Sequence, residues 1–270
     1  MQIKVIILAL CFPMIALAYT PSNPGKEKKF PSCYKEGIVV NGVSSEWENA
    51  LFTFNKQAQL NYAIVNDTVA FYICVRIADE SAQMKVLHSG IDLRFNTLGK
   101  KKGGAILHFP IGGKPDAANR LNPGIRVDRK KMHLMFLLQM QDMELTGFKN
   151  GVNGYQSIKS GKNGILAAIN WDSTNVMVYE ARIPFSIFQG DVQAVSPLAV
   201  GIIVKGAPKP QHTDDPTQGS MLPGGQGGQP GMRPGGGRNM EGSMQDHGDN
   251  MKIYEDDEIW RLLVVAKKEN

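Results

Sequence analysis

The stretch Leu60 to Phe95, LNYAIVNDTVAFYICVRIADESAQMKVLHSGIDLRF, carries the clearest structural pattern in this chain. Leu60, Tyr62 and Ile64 alternate with Asn61, Ala63 and Val65. After a turn at Asn66-Asp67-Thr68 the same period of two resumes through Val69, Phe71, Ile73, Val75 and Ile77. Alternation at that period puts successive side chains on opposite faces of a strand, so the pair reads as a β-hairpin. A polar connection through Asp79-Glu80-Ser81 leads to a third alternation, Ile91, Leu93 and Phe95 against Asp92, Arg94 and Asn96. One apolar and one polar face per strand is the mark of antiparallel sheets, whereas buried parallel strands read as unbroken apolar runs. The stretch therefore predicts an all-β fold, an antiparallel β-sandwich of immunoglobulin-like or jelly-roll-like type. If the Phe71 face is the core, Tyr72, Cys74 and Arg76 point the other way.

Outward from this hairpin, the opening MQIKVIILALCFPMIALA combines one lysine, an apolar run and Ala16-Leu17-Ala18. That is the form of a secretory signal peptide cleaved after Ala18, and it predicts an exported chain, periplasmic or extracellular. Cys11 follows Leu10, where a lipid-attachment site requires a small residue. No later run has the length to cross a bilayer, so no transmembrane segment is expected. Roughly 250 residues remain, enough for one sandwich with a proper core and awkward for two. Cys33 and Cys74 survive processing. In an oxidising compartment an even pair predicts one disulfide, and the alternative is a buried free thiol at Cys74. The net charge of +5 is spread over short bunches such as Lys100-Lys101-Lys102 and Arg129-Lys130-Lys131, which read as solvated turns. A nucleic-acid footprint needs such bunches on one face with interleaved aromatics, so no nucleic-acid partner is expected.

The chain divides into a signal peptide (1–18), a flexible leader (19–32), a sandwich body (33–206), a Gly/Pro/Met-rich disordered insertion (207–250) and a C-terminal strand (251–270) that completes the sandwich. Within the body, Val39-Val40 ends in an Asn41-Gly42 turn that delivers Trp47 near the start of the hairpin. Ala105 to Pro110 and Met132 to Leu138 read as strands, with a loop over 112–128 between them. Glycine and asparagine dominate 147–164, which predicts another loop. Ile165 to Ile169 and Val176 to Pro184 read as paired strands joined through Asn170 to Ser173. Phe185 to Phe188 forms one helical turn, and Pro197 to Val204 is a buried strand. The insertion has nothing to bury. Ile259 to Ala266 is too apolar for a tail, although the acids at 255–258 also suit a helix start.

No nucleophile elbow, zinc-binding helix, phosphate loop, dinucleotide fingerprint or Cys-x-x-Cys pair occurs, and the five histidines are dispersed. Asp79, Asp92, Asp172 and Glu180 offer carboxylates, but linear spacing does not bring two of them to one bond. No catalysis is expected. Met221, Met232, Met240, Met244 and Met251 with His212 and His247 have soft-ligand chemistry, yet their irregular spacing among glycines reads as a plain loop. No metal and no cofactor is expected. Asn66-Asp67-Thr68 matches a glycosylation sequon and equally a hairpin turn. Trp47, Trp171 and Trp260 lie beside turns or strand ends among Asp, Asn and Arg. Sugar-binding sandwiches use such rings against the apolar face of a pyranose, with polar neighbours on the hydroxyls.

Three motifs resemble one family. Val40-Asn41-Gly42-Val43-Ser44-Ser45-Glu46-Trp47 is similar to the opening of family 9 carbohydrate-binding modules and the related DOMON-like sandwiches. Phe71 to Asp79 looks like their Leu-Tyr-containing strand, and Tyr179-Glu180-Ala181-Arg182-Ile183-Pro184 like their late Glu-x-x-Ile-Pro strand. Asn41 and Ser45 stand where the family opening carries acids, which argues against carrying over its calcium or sugar ligands. The resemblance implies an exported, non-catalytic module with a glycan as ligand. Its expected site has Trp47 or Trp171 as stacking platform and Arg76, Asp79, Asp92 or Arg94 on the hydroxyls. The alternatives are an envelope scaffold whose insertion contacts a partner protein, and a haem domain using Met84 with His88 or Met132 with His133.

Overall fold

The computed structural model describes residues 30–111, 128–193, 197–208 and 253–268. The signal peptide, most of the leader, the loop over 112–127 and nearly all of the Gly/Pro/Met-rich segment lie outside the described residues. Two sheets face each other across one core. The seven-stranded sheet runs β1 (Phe30–Pro31), β13 (Asp257–Val264), β12 (Leu198–Val204), β6 (Ile91–Asn96), β7 (Ala105–Phe109), β8 (Asp142–Thr146), β9 (Gly154–Ser157). The other runs β10 (Leu166–Trp171), β11 (Met177–Pro184), β5 (Ala70–Ile77), β4 (Leu60–Asn66), β2 (Cys33–Tyr34), with β3 (Thr53–Asn55) also on the β4 edge. Every pairing is antiparallel except β1 with β13 and β2 with β4.

Register follows the period-two pattern. Phe71, Ile73, Val75 and Ile77 of β5, and Met177, Tyr179, Ala181 and Ile183 of β11, bury inward against Ile91, Leu93 and Phe95 of β6. Rings meet across the gap, Phe71 on Phe95 at 5.9 Å and Phe109 on Tyr179 at 5.8 Å. Val69 falls outside β5 and is 52% exposed, because Asp67 Oδ1 draws the amides of Val69 and Ala70 into the turn.

The outer face of the six-stranded sheet is not wet. Ala63, Val65, Tyr72, Cys74 and Val178 form a second apolar cluster with Ile38 and Trp47, covered by the segment that leads to β3. The central strands β4, β5 and β11 alternate as expected, but both of their faces are largely buried.

Several expectations are corrected. Met132 to Leu138 is not a strand but lies in a helix. Helix α1 spans Glu80–Ser89 and helix α2 spans Arg129–Gln139. Asp128 caps α2 through the Lys130 amide, good helix formers open it, and Phe136, Leu137 and Met140 bury at helical spacing. A continuous apolar run has no period to reveal this. Strand order begins at Phe30, inside the expected leader, because β1 finds the edge of β13. The 147–164 region contains β9, which pairs with β8. The C-terminal expectation needs no correction: residues 257–264 form the closing strand, and the helix start that the acids also suit is not taken.

Cys33 and Cys74 are both free, the first exposed and the second buried. β4 lies between them, with Cys33 opposite Val65 and Cys74 opposite Ala63. Two strand spacings put them about 10 Å apart, beyond the roughly 7 Å Cα separation a disulfide tolerates. The sequon is likewise a turn. Asn66 is fully buried, its amide nitrogen donating to Asp67 O at 2.8 Å and Ala266 O at 2.9 Å.

Candidate ligand groove

The best assembled polar and aromatic surface is a groove of about 380 Å³ on the outer face of the six-stranded sheet, where β10 ends and β11 begins. Trp47, Arg76, Trp171 and Asp172 line it, with Asn49 and Ser45 from the covering segment. Three of the expected site residues therefore converge although they are scattered over the sequence.

Their roles differ from expectation. Trp47 is only 4% exposed and is no platform. Its indole Nε1 donates to Glu180 Oε1 at 2.7 Å, while the amides of Asn41 and Gly42 donate to Glu180 Oε2 at 3.0 and 2.8 Å. Glu180 is fully buried, and burial pushes its carboxyl above the usual range despite those three donors. Two of the three recognised motifs thus meet here, the Asn-Gly…Trp opening being pinned to the Glu of the late strand. Gly42 allows the close approach. Its φ is +77°, and a Cβ there would lie 2.6 Å from Asn170 Cβ.

Trp171 is half-buried, inside β10 rather than in the turn after it. Its Nε1 donates to Gln83 Oε1 at 3.0 Å, and Gln83 is fixed in turn by the carbonyls of Ile77 and Asn175. His133 of α2 stacks on the indole, centroids 4.0 Å apart and planes 8° from parallel. Burial and the charge of Arg129 hold His133 below its usual pKa, favouring the neutral ring. Local sequence gives no signal for this pair, since His133 lies in an apolar run whose pattern has no period and suits a strand as well as a helix.

Arg76 is steered by Asn49 Oδ1 at 3.2 Å and by the Phe52 ring at 5.2 Å. Asp172 shapes the β10–β11 turn, accepting from the Thr174 and Val176 amides at 2.8 and 3.0 Å. Burial opposes its ionisation, but these bonds and the charge of Arg76 outweigh it and keep the carboxyl below the ordinary range. The groove presents an ionised acceptor and a guanidinium donor together; Trp171 lines it from the strand end, since its pairing with Met177 sends the indole to the inner face against His133 and Gln83.

The other expected residues lie elsewhere. Asp79 caps α1, accepting the Ala82 amide at 2.8 Å. Asp92 and Arg94 sit on the outer face of the opposite sheet, in a cluster with His108. They are corrected out of the groove, and Asp172 and Asn49 take the polar positions there. Met84 and His88 are four apart on α1 and share one side of it, so they do not approach an iron from opposite directions. Met132 is adjacent to His133, whose ring is spent on Trp171. Glu180 has both oxygens engaged beneath the groove and offers no free carboxyl to a bond above it.

Among the described residues no group of three or more His, Cys, Asp or Glu is placed to hold a metal ion, and no helix is long and apolar enough to cross a membrane. No protein-family model, curated protein or solved structure matches the chain.

Proposed function

We propose that this chain is an exported, non-catalytic glycan-binding module of the family 9 or DOMON-like type, and that the groove between the covering segment and the β10–β11 turn is its binding site. One observation carries the reading. Arg76 and Asp172 line a single concave surface, Arg76 steered by Asn49 on its rim and Asp172 fixed by the turn amides.

Such an arrangement suits a sugar ring. Val43 offers an apolar wall for C–H groups, Arg76 donates to hydroxyl oxygens, and Asp172 accepts from hydroxyl protons. Restraint by Asn49 and the turn amides lowers the ordering cost of binding. Trp47 works one layer below, holding the covering segment against β11 so that Ser45 and Asn49 stay on the rim.

A glycan array probed with the mature protein tests this. Binding to a defined glycan class that Arg76→Ala and Asp172→Ala each abolish supports the reading. An array silent across neutral and charged glycans overturns it.

A further inference from the structure

A second and larger cleft, about 560 Å³, lies at the opposite end of the same strands, where β5 and β10 begin and β11 ends. Arg182 and Lys149 line it, against one carboxylate, Asp191. Its apolar wall is Val69, Pro184 and Phe185.

Arg182 is held through two of its three nitrogens. Its Nε donates to Tyr72 Oη at 3.2 Å and its Nη1 to Gly164 O at 2.5 Å. Tyr72 is fixed by donating its own hydroxyl to Asp67 Oδ2 at 2.9 Å. Gly164 makes the room, since a Cβ there would lie 2.9 Å from Arg182 Nη1. Among the described residues Nη2 has no hydrogen-bond partner. Lys149 donates to Ser186 O at 2.8 Å, which sets its ammonium on the rim. With Nε and Nη1 engaged, the guanidinium is fixed in place and Nη2 is left to donate a charge-assisted hydrogen bond to an anion.

We propose that this cleft binds a sugar carrying a carboxylate, a uronic acid residue. Arg182 and Lys149 take the carboxylate, Asn163 and Asp191 take hydroxyls, and Val69 and Phe185 support the ring. Asp191 repels a second negative charge, which favours a carboxylate monoanion over a phosphate dianion. The volume accommodates one or two sugar units. This site stands whichever ligand the Arg76 groove takes.

Calorimetric titration of the mature protein with glucuronate, galacturonate, glucose and inorganic phosphate tests the proposal. Expected is uronate binding at least about tenfold tighter than glucose or phosphate, weakening as salt is added. Lys149→Ala, an exposed substitution, and Arg182→Lys should each weaken it about tenfold, with thermal melts verifying that both variants fold. Uronate no tighter than glucose overturns the charge recognition, and phosphate as tight as uronate overturns the sugar. Full affinity in folded Lys149→Ala removes the site from this cleft.

Discussion

Trp47 and Glu180 meet 133 positions apart in sequence, indole Nε1 to carboxylate Oε1 at 2.7 Å, beneath the groove. With the Asn41 and Gly42 amides on the second oxygen, one carboxylate fastens the whole covering segment to β11. Glu180→Ala strands two buried donors and a third that is part-buried. At about 1–3 kcal/mol for each unsatisfied group, the unfolding free energy should fall by roughly 3 kcal/mol or more. Trp47→Phe keeps most of the packing and strands one carboxylate oxygen, so its loss should be smaller. Denaturant titration of both variants checks this order, and a near-neutral Glu180→Ala would contradict it.

The same carboxyl predicts a pH dependence. Burial raises the folded pKa of Glu180 above its unfolded value, so the folded chain binds that proton more tightly. Its contribution favours folding below the unfolded value, about 4.3, and is lost as pH rises through the folded one. Asp92 has the opposite sign. Burial pushes it up, but hydrogen bonds from His108 and Arg94 and their charges prevail, so the carboxyl is held below the usual range. That contribution is present above about 3.9 and is lost as pH falls. Thermal melts across acid to neutral pH should show Glu180→Gln flattening the first limb and Asp92→Asn the second; unchanged profiles would contradict the assignment.

Gly42 should not accept a side chain. Positive φ and a Cβ contact of 2.6 Å with Asn170 together predict that Gly42→Ala costs about 2 kcal/mol or more. The melting temperature reports the loss.

The two thiols should behave independently. Cys33 is exposed and should react with a maleimide in the native protein, whereas Cys74, buried and with its thiol pushed up by desolvation, should react only on unfolding. Reductant should leave the melt unchanged. A Cys33–Cys74 peptide in a non-reducing digest would contradict the strand order.

The strand pattern from Leu60 to Phe95 was legible because period two survives in β4, β5 and β6. What covers each face was not legible. Tyr72 and Cys74 alternate out of the core, but only the fold shows Trp47 lying over them. In the groove, Trp171 and Arg76 stood out by residue type. Asp172 joined them because a turn carries it there, and His133 was hidden in an apolar run without a period. Asp92 and Arg94 follow the same alternation as Arg76 yet belong to the other sheet, a distinction made by strand order and not by local sequence.

The groove is proposed to take a sugar through Arg76 and Asp172. With the protein labelled with ¹⁵N, titration of the glycan identified on the array should move the Arg76 Nε resonance progressively. The Trp260 Nε1 resonance, on the opposite sheet, should stay in place, and Asp172→Ala should abolish the shift. A glycan that binds while the Arg76 resonance stays fixed would contradict this placement.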